Sequence, residues 1–557
     1  MTTISMFAVP LPPNPMGFPL QLSLFNFEKE MASKEEKKLR LERANTTISN
    51  PVAYVATINN EKRSKDIDEA YDYLHSRADF VGEQAIDIKK LQRKVDWRIM
   101  PIMFLIFGLQ FLDKYLLNYS IVMGLPKDLK LKGNDLNNIA SSLWWTYLAV
   151  SPLVALAMNK LPLGKWLGVA MSIWGVTIAC VAAVKTYPQL LAIRLLMGAC
   201  DAALVPALML ISCHYYRKDE QAARFAIWFS SIGFAVITGG LISYGFQHVT
   251  TSSIESWRIM YLVMGVISFS VGVICLFLMP DSPIRAKFLN DAEKTALIHH
   301  VSVNQTGITG HKIEWHQLRE LALDPQIYLL VMMNIFISLG SGILGTYAST
   351  IIKSFGYDSK QAALLTTPGG AICVVTCLIS AIVIRYHIMP RWLISVLGYC
   401  FSFTGACLVA FSPHQNKGAQ LAGIYLVSCS LFTSGIKLQW MSANIAGHTK
   451  RSAATAIMSG TISIGNIVAP YAVQPKEAPY YQTGKDILVG AKGLPILMLS
   501  LLASYYYLMN RHRDRKYGKP HTGTSMDPEA PVMAPDDSED QWQNLTDKER
   551  KSFRYVY

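Results

Sequence analysis

The lipid interior leaves backbone N–H and C=O groups no water to bond, so a chain with repeated apolar runs of about 20 residues must cross it as helices. Twelve such runs occur here, near 99–124, 137–159, 166–184, 188–214, 225–246, 258–280, 326–350, 361–385, 391–411, 419–445, 452–473 and 486–510. Six precede a polar block at 281–324 and six follow it. Only 16% of residues are charged, against about 25% in soluble domains. The charges crowd the two ends and the middle block. The expected fold is therefore an all-α polytopic membrane protein, with twelve transmembrane helices in two six-helix halves. The expected domains are a largely disordered N-terminal segment (1–98), a first half (99–280), a central loop (281–325), a second half (326–510) and a tail (511–557).

Lysine and arginine flank the first span (Lys89, Lys90, Arg93, Lys94, Arg98), fill the 281–324 block and follow the last span (Arg511, Arg513, Arg515, Lys516). The positive-inside rule then puts both termini and the central block in the cytosol. The lysine-bearing loop PKDLKLK goes against this bias and is outnumbered. Because the basic residues border apolar runs, the net charge of +13 reflects topology and not a nucleic-acid partner. The nine cysteines lie inside apolar runs without C-x-x-C pairs and read as small core residues. The first 25 residues lack the basic start of a signal peptide, and Met31 is an alternative start. Sequons at Asn45, Asn118, Asn304 and Asn544 fall on the cytosolic side or within a span, so none should be glycosylated. Residues 523–540, rich in Pro, Asp and Ser, should be disordered.

LPLGKWL opens the third span and HIMPRWL the ninth, a faint repeat that suits two duplicated halves with a central site between them.

Several polar residues sit deep in the spans, where one charge costs about 2.5–3.5 kcal/mol on insertion scales. Asp113 and Lys114 are adjacent in the first span, so they point about 100° apart. Lys114 shares a face with Asn118 and should line a polar cavity; Asp113 shares one with Gln110. In the fourth span Arg194 and Asp201 are two turns apart on one face, with Gly198 and Ala202. They form either a structural charge network or a cation beside a proton-carrying carboxylate. In the tenth span Lys437 shares a face with Thr433, Ser434, Trp440 and Asn444, which suits a binding cavity. In the seventh, Asn334, Ser338 and Ser341 share a face ahead of Gly342 and Gly345. TTPGG should break the eighth helix, either to bind an ion or to let helices pack closely.

FLDKYLLNYS, LPLGKWLGV, RLLMGACDAALVP, HYYRKDEQAARFAIWFSS, MPDSPIRAKFL, ANIAGHTKR and NLTDKERKSFRYV together resemble the major facilitator superfamily. More narrowly, the chain is similar to the fungal anion:cation symporters of the allantoate permease type, over about 95–515 and the extreme C-terminus. The resemblance implies that the family's span-1 cation is Lys114 and its span-4 pair is Arg194 and Asp201, with Asp where the family usually has Glu. LPLGKWL lacks the superfamily's usual Asp-Arg core. Ala235 and Val236 stand where proton antiporters carry Gly-Pro, which favours uptake over export.

These features imply a proton-coupled importer of a small organic anion across the plasma membrane, and not an enzyme. The resemblance implies an allantoate-like ureido acid or a dipeptide as substrate. The alternatives are a vitamin-type carboxylate (nicotinate, pantothenate or biotin) or a non-transporting nutrient sensor. Lys114, Asn118, Arg194, Asn334, Lys437 and Trp440 are the expected substrate residues, and Asp113 and Asp201 the expected proton carriers. The expected partners are the anion, the proton and the bilayer. The chain should be a monomer that uses no cofactor beyond the proton gradient.

Overall fold

The structure is a computed structural model that describes residues 87–158, 161–249, 254–302, 314–385, 388–413, 415–431, 433–478, 480–517, 546–550 and 553–556. The N-terminal segment before residue 87, Met31, the sequons at 45, 304 and 544, the 523–540 stretch and the Ser434 side chain lie outside the described residues.

The first six spans form α1 (Ile88–Val122), α2 (Asp135–Met158), α3 (Leu163–Val181), α4 (Tyr187–Tyr215), α5 (Lys218–Phe246) and α6 (Ser256–Leu278). The last six form α7 (Pro325–Ser354), α8 (Ser359–Leu364, then Thr367–Arg385), α9 (Arg391–Phe411), α10 (Lys417–Val427, then Thr433–Asn444), α11 (His448–Val468) and α12 (Gln482–Tyr517). Ten of these helices are long and apolar enough to cross a membrane; α2 and the broken α10 complete the twelve.

Local chemistry sets the helix ends. Asp87 caps α1 by accepting from the Lys89 and Lys90 amides at 2.9 and 3.4 Å, which gives α1 a start eleven residues ahead of the predicted span. Asp324 caps α7, with Pro325 in the first turn, where its missing N–H costs nothing. The weak repeat is structural, since Pro162 and Pro390 cap α3 and α9, the third helix of each half.

Two spans are interrupted. The eighth breaks at 365–366, directly ahead of the predicted TTPGG. The tenth, expected to be continuous over 419–445, passes through a short 3-10 turn at Ser428–Ser430. There Ser430 and Thr433 donate to the carbonyls of Val427 and Ser430 at 3.2 and 2.6 Å. Such side-chain bonds to nearby carbonyls loosen the helical ladder.

Small residues let the helices approach. In α3 and α6, Gly175 abuts the Phe269 backbone and Gly265 that of Ala179; a Cβ on either would lie within 2.4 Å of a backbone nitrogen. This is membrane packing by small residues, where no hydrophobic drive holds helices together.

Within the first half α3 packs on α6, α2 on α4 and α1 on α5; within the second, α7 and α9 pack on α12. The halves meet along α5 with α8, α2 with α11, and α1 with α7. Gly370 of α8 lies against Gly233 of α5, so the PGG run allows close packing. Hydrogen bonds join the halves at the end where α1 and α7 finish. The Asn118 amide donates to Ser349 Oγ at 3.1 Å, and the Ser349 backbone N–H donates back to Asn118 Oδ1 at 3.0 Å. Nearby, Tyr119 meets Thr366, Tyr347 donates to Asn137, and Ser141 donates to the Ile467 carbonyl.

The central block folds into helices Asp291–Ser302 and Trp315–Ala322. The tail also departs from the expectation: α12 continues to Tyr517, and residues 546–550 and 553–556 pack on the second half. Lys450, fully buried, is bonded to Glu320, Asp324 and Asp547 at 2.7, 2.8 and 2.6 Å. Arg513 donates to the carbonyls of Asp547, Arg550 and Phe553. The Tyr555 ring stacks on Tyr506 at 5.0 Å, and burial beside Asp547 pushes its phenol above the ordinary range.

Candidate functional site

A cavity of about 220 Å³ lies between the halves. Its walls include Lys114 from α1, Trp144 and Tyr147 from α2, Arg194 from α4, Ser338 and Ser341 from α7, and Lys437 from α10. Helical spacing explains this. Ser338, Ser341 and Gly345 recur on one face of α7, and Gly345 leaves open space there instead of a side chain.

The four first-half charges are cross-paired. Lys114 Nζ lies 3.2 Å from Asp201, and Arg194 Nη1 lies 4.0 Å from Asp113. Adjacent residues of α1 thus meet residues seven apart on α4. Gln110 and Lys114, one turn apart on α1, both reach Asp201; Gln110 donates to its Oδ1 at 2.5 Å. Arg194 also donates to the Tyr261 hydroxyl at 3.3 Å. Both acids are buried behind the wall while their cations face the cavity. Lys114 is further held over the rings of Phe111 and Trp144, 4.8 and 5.0 Å from their centroids. Asp201 has one hydrogen-bond donor, Gln110, and its Oδ2 meets Lys114 only as an ion pair, whereas both Asp113 oxygens are buried without a hydrogen-bond partner.

The second half differs. Lys437, 5% exposed, donates to Asn334 Oδ1, and no carboxylate among the described residues faces it. Asn334 is oriented for this by donating to the Met458 carbonyl and to Thr461 at 2.8 and 2.6 Å. It stands behind Lys437 and does not itself line the cavity.

Two further expected substrate residues also stand off the wall of this cavity. Asn118 is used in the bond to Ser349 that joins the halves, because α1 carries it one turn beyond Lys114 into the contact with α7. Trp440 donates to the Val556 carbonyl at 2.5 Å, and Asn444 exchanges two bonds with the same residue, so this face of α10 holds the C-terminal segment. Tyr115, Trp144 and Lys492 were missed; the first two read as ordinary membrane aromatics, and Lys492 as a lysine near a span's edge.

The sequence profile of the Major Facilitator Superfamily matches residues 103–470. The thiamine pathway transporter THI73 of Saccharomyces cerevisiae is 32% identical over 486 residues, covering 86% of this chain and 88% of that protein. The allantoate permease of the same yeast is 28% identical over 481 residues, covering 84% and 86%. A crystal structure of a bacterial homolog of the human lysosomal transporter Spinster, inward-facing and occupied, superposes with a TM-score of 0.52 at 13% identity, over 74% of this chain and 96% of that one. The twelve-helix architecture, the cavity between its halves and the matched profile agree: the chain belongs to the Major Facilitator Superfamily and is a multi-pass membrane transporter, not an enzyme.

Proposed function

We propose that this transporter imports a small organic carboxylate together with a proton, across the plasma membrane and by alternating access. The observation that carries the reading is the charge balance of the cavity. The first-half cations are matched by Asp113 and Asp201, while Lys437 faces the cavity with only an amide oxygen as partner. A buried ammonium is stabilised by an anion, and a monocarboxylate supplies one. Importing that anion against an inside-negative potential costs about 2.3 kcal/mol per 100 mV, which a co-transported proton cancels. Asp113 is the carboxylate with room for the proton, since it has no hydrogen-bond donor and its arginine is 4.0 Å away. The allantoate permease relative supports a ureido acid as substrate; vitamin carboxylates have the same charge. The thiamine-pathway relative brings a cationic ligand into view, which the unmatched lysine disfavours.

The test is uptake of labelled allantoate, nicotinate, pantothenate, biotin and thiamine by transport-deficient yeast expressing the chain. The reading predicts that a carboxylate accumulates above equilibrium and that a protonophore abolishes the accumulation. Accumulation of thiamine alone contradicts it, and binding without accumulation identifies a sensor.

A further inference from the structure

Beside the central cavity lies a smaller one of about 50 Å³, and the two share Tyr115, Ser341 and Leu431 in their walls. Lys492 of α12 projects into this smaller space. It is 1% exposed, its ammonium donates to Ser430 Oγ at 3.3 Å, and no carboxylate among the described residues faces it. The site is shaped around it: a Cβ on Gly340 of α7 would stand 3.0 Å from Lys492 Cε and 3.3 Å from Nζ. The break in α10 puts Ser428 in the wall of this cavity and Ser430 against the ammonium. Asn118, Tyr119 and Thr366 line the opposite side, already bonded across the halves.

A buried ammonium that bonds one hydroxyl keeps two N–H donors for other acceptors. Leaving such a charge without a counter-charge is costly. Because the buried first-half charges pair among themselves, Lys437 and Lys492 are two cations without a carboxylate among the described residues, placed at two neighbouring cavities that share three wall residues.

We propose that Lys492 heads a second binding subsite, which takes the far end of an elongated carboxylate bearing another carboxylate or carbonyl oxygen there. The first carboxylate is held at the central cavity by Lys437. This rests on the carboxylate reading above and narrows it, since the substrate is gripped at both ends and a simple monocarboxylate is a poor ligand. The small cavity is walled by both halves, so an occupant there bears on the contacts that hold them together.

The test is thermal stabilisation of the purified protein by a matched series of probes. Straight-chain monocarboxylates of four to eight carbons are compared with the α,ω-dicarboxylates and ω-amide carboxylates of the same lengths. At one or more lengths the second oxygen group should tighten binding at least ten-fold over the monocarboxylate. In Lys492→Met that ratio should fall to about one. Gly340→Ala, which crowds the ammonium from the other side, should lower the ratio too, and melting of both variants without ligand reports whether they fold. If monocarboxylates bind but no chain length shows the gain, or the gain persists in a folded Lys492→Met, the subsite is wrong and the carboxylate reading stands. If no carboxylate stabilises the protein, the carboxylate reading itself falls, and this subsite with it.

Discussion

Asp113 and Lys114 are neighbours in α1, yet each meets a different partner on α4. A buried pair gains little over an apolar pair of equal shape, but removing one member strands the other at a cost of about 3–5 kcal/mol. Lys114→Met should therefore lower the melting temperature markedly, while Lys114→Met combined with Asp201→Asn should recover most of it. Thermal unfolding in detergent measures this; singles as stable as the parent would remove any structural role from the pair. Asp113 differs, with no hydrogen-bond donor and a loosely held arginine. Asp113→Asn should abolish accumulation of the carboxylate found by the uptake screen, yet leave counterflow into preloaded vesicles. Wild-type accumulation in that variant would move the proton to another group, with Asp201 the next candidate.

At the scale of elements, the C-terminal segment is part of the second half and not a free tail. Asp547, Tyr555 and Val556 connect it to α7, α10, α11 and α12. Deleting residues 546–557 exposes Trp440 and Tyr506 and takes one of three carboxylates from the buried Lys450. The melting temperature should fall by several degrees; an unchanged value would show that the segment adds nothing to stability. This segment also shows what the sequence made legible. The twelve spans were readable because apolar length is a local property. So was the break near TTPGG, since proline and glycine act on their own backbone. The break in α10 was not, because serine and threonine interrupt a helix only when their hydroxyls turn to its carbonyls. Trp440 looked like a cavity residue by its spacing from Lys437, but the returning C-terminus gave it a partner 116 residues away. The cations facing the cavity were recognisable as buried charge; their cross-pairing depends on how α1 rotates against α4, which no single helix encodes. Lys492 was not singled out in the sequence, because apolar length alone does not say how deep a span sits.

Across the whole molecule, the hydrogen bonds between Asn118 and Ser349 and around Tyr119, Tyr347 and Ser141 hold the halves together at one end. If both termini are cytosolic, as the distribution of lysine and arginine implies, this is the end away from the cytosol. Rocking the halves must break these bonds. Asn118→Ala should therefore favour the state open at that end. With Ser341→Cys as the reporter, in a background without the nine native cysteines, an impermeant thiol reagent added outside should label the cavity several-fold faster. Equal rates would show that the bond does not set the balance between states.

The central claim is that proton and carboxylate share one cavity and favour each other's binding. If Asp113 and Asp201 are ionised, the first half is neutral, and protonating either leaves one more unmatched positive charge beside the anion. Linkage then requires the proton to strengthen anion binding and the anion to strengthen proton binding. The direct measurement is the apparent dissociation constant of the transported carboxylate against outside pH, alongside its primary amide. The account predicts that affinity rises as pH falls, until the free carboxylate itself becomes protonated, and that the amide does not bind. Affinity flat across that range, or an amide bound as well as the acid, would contradict it.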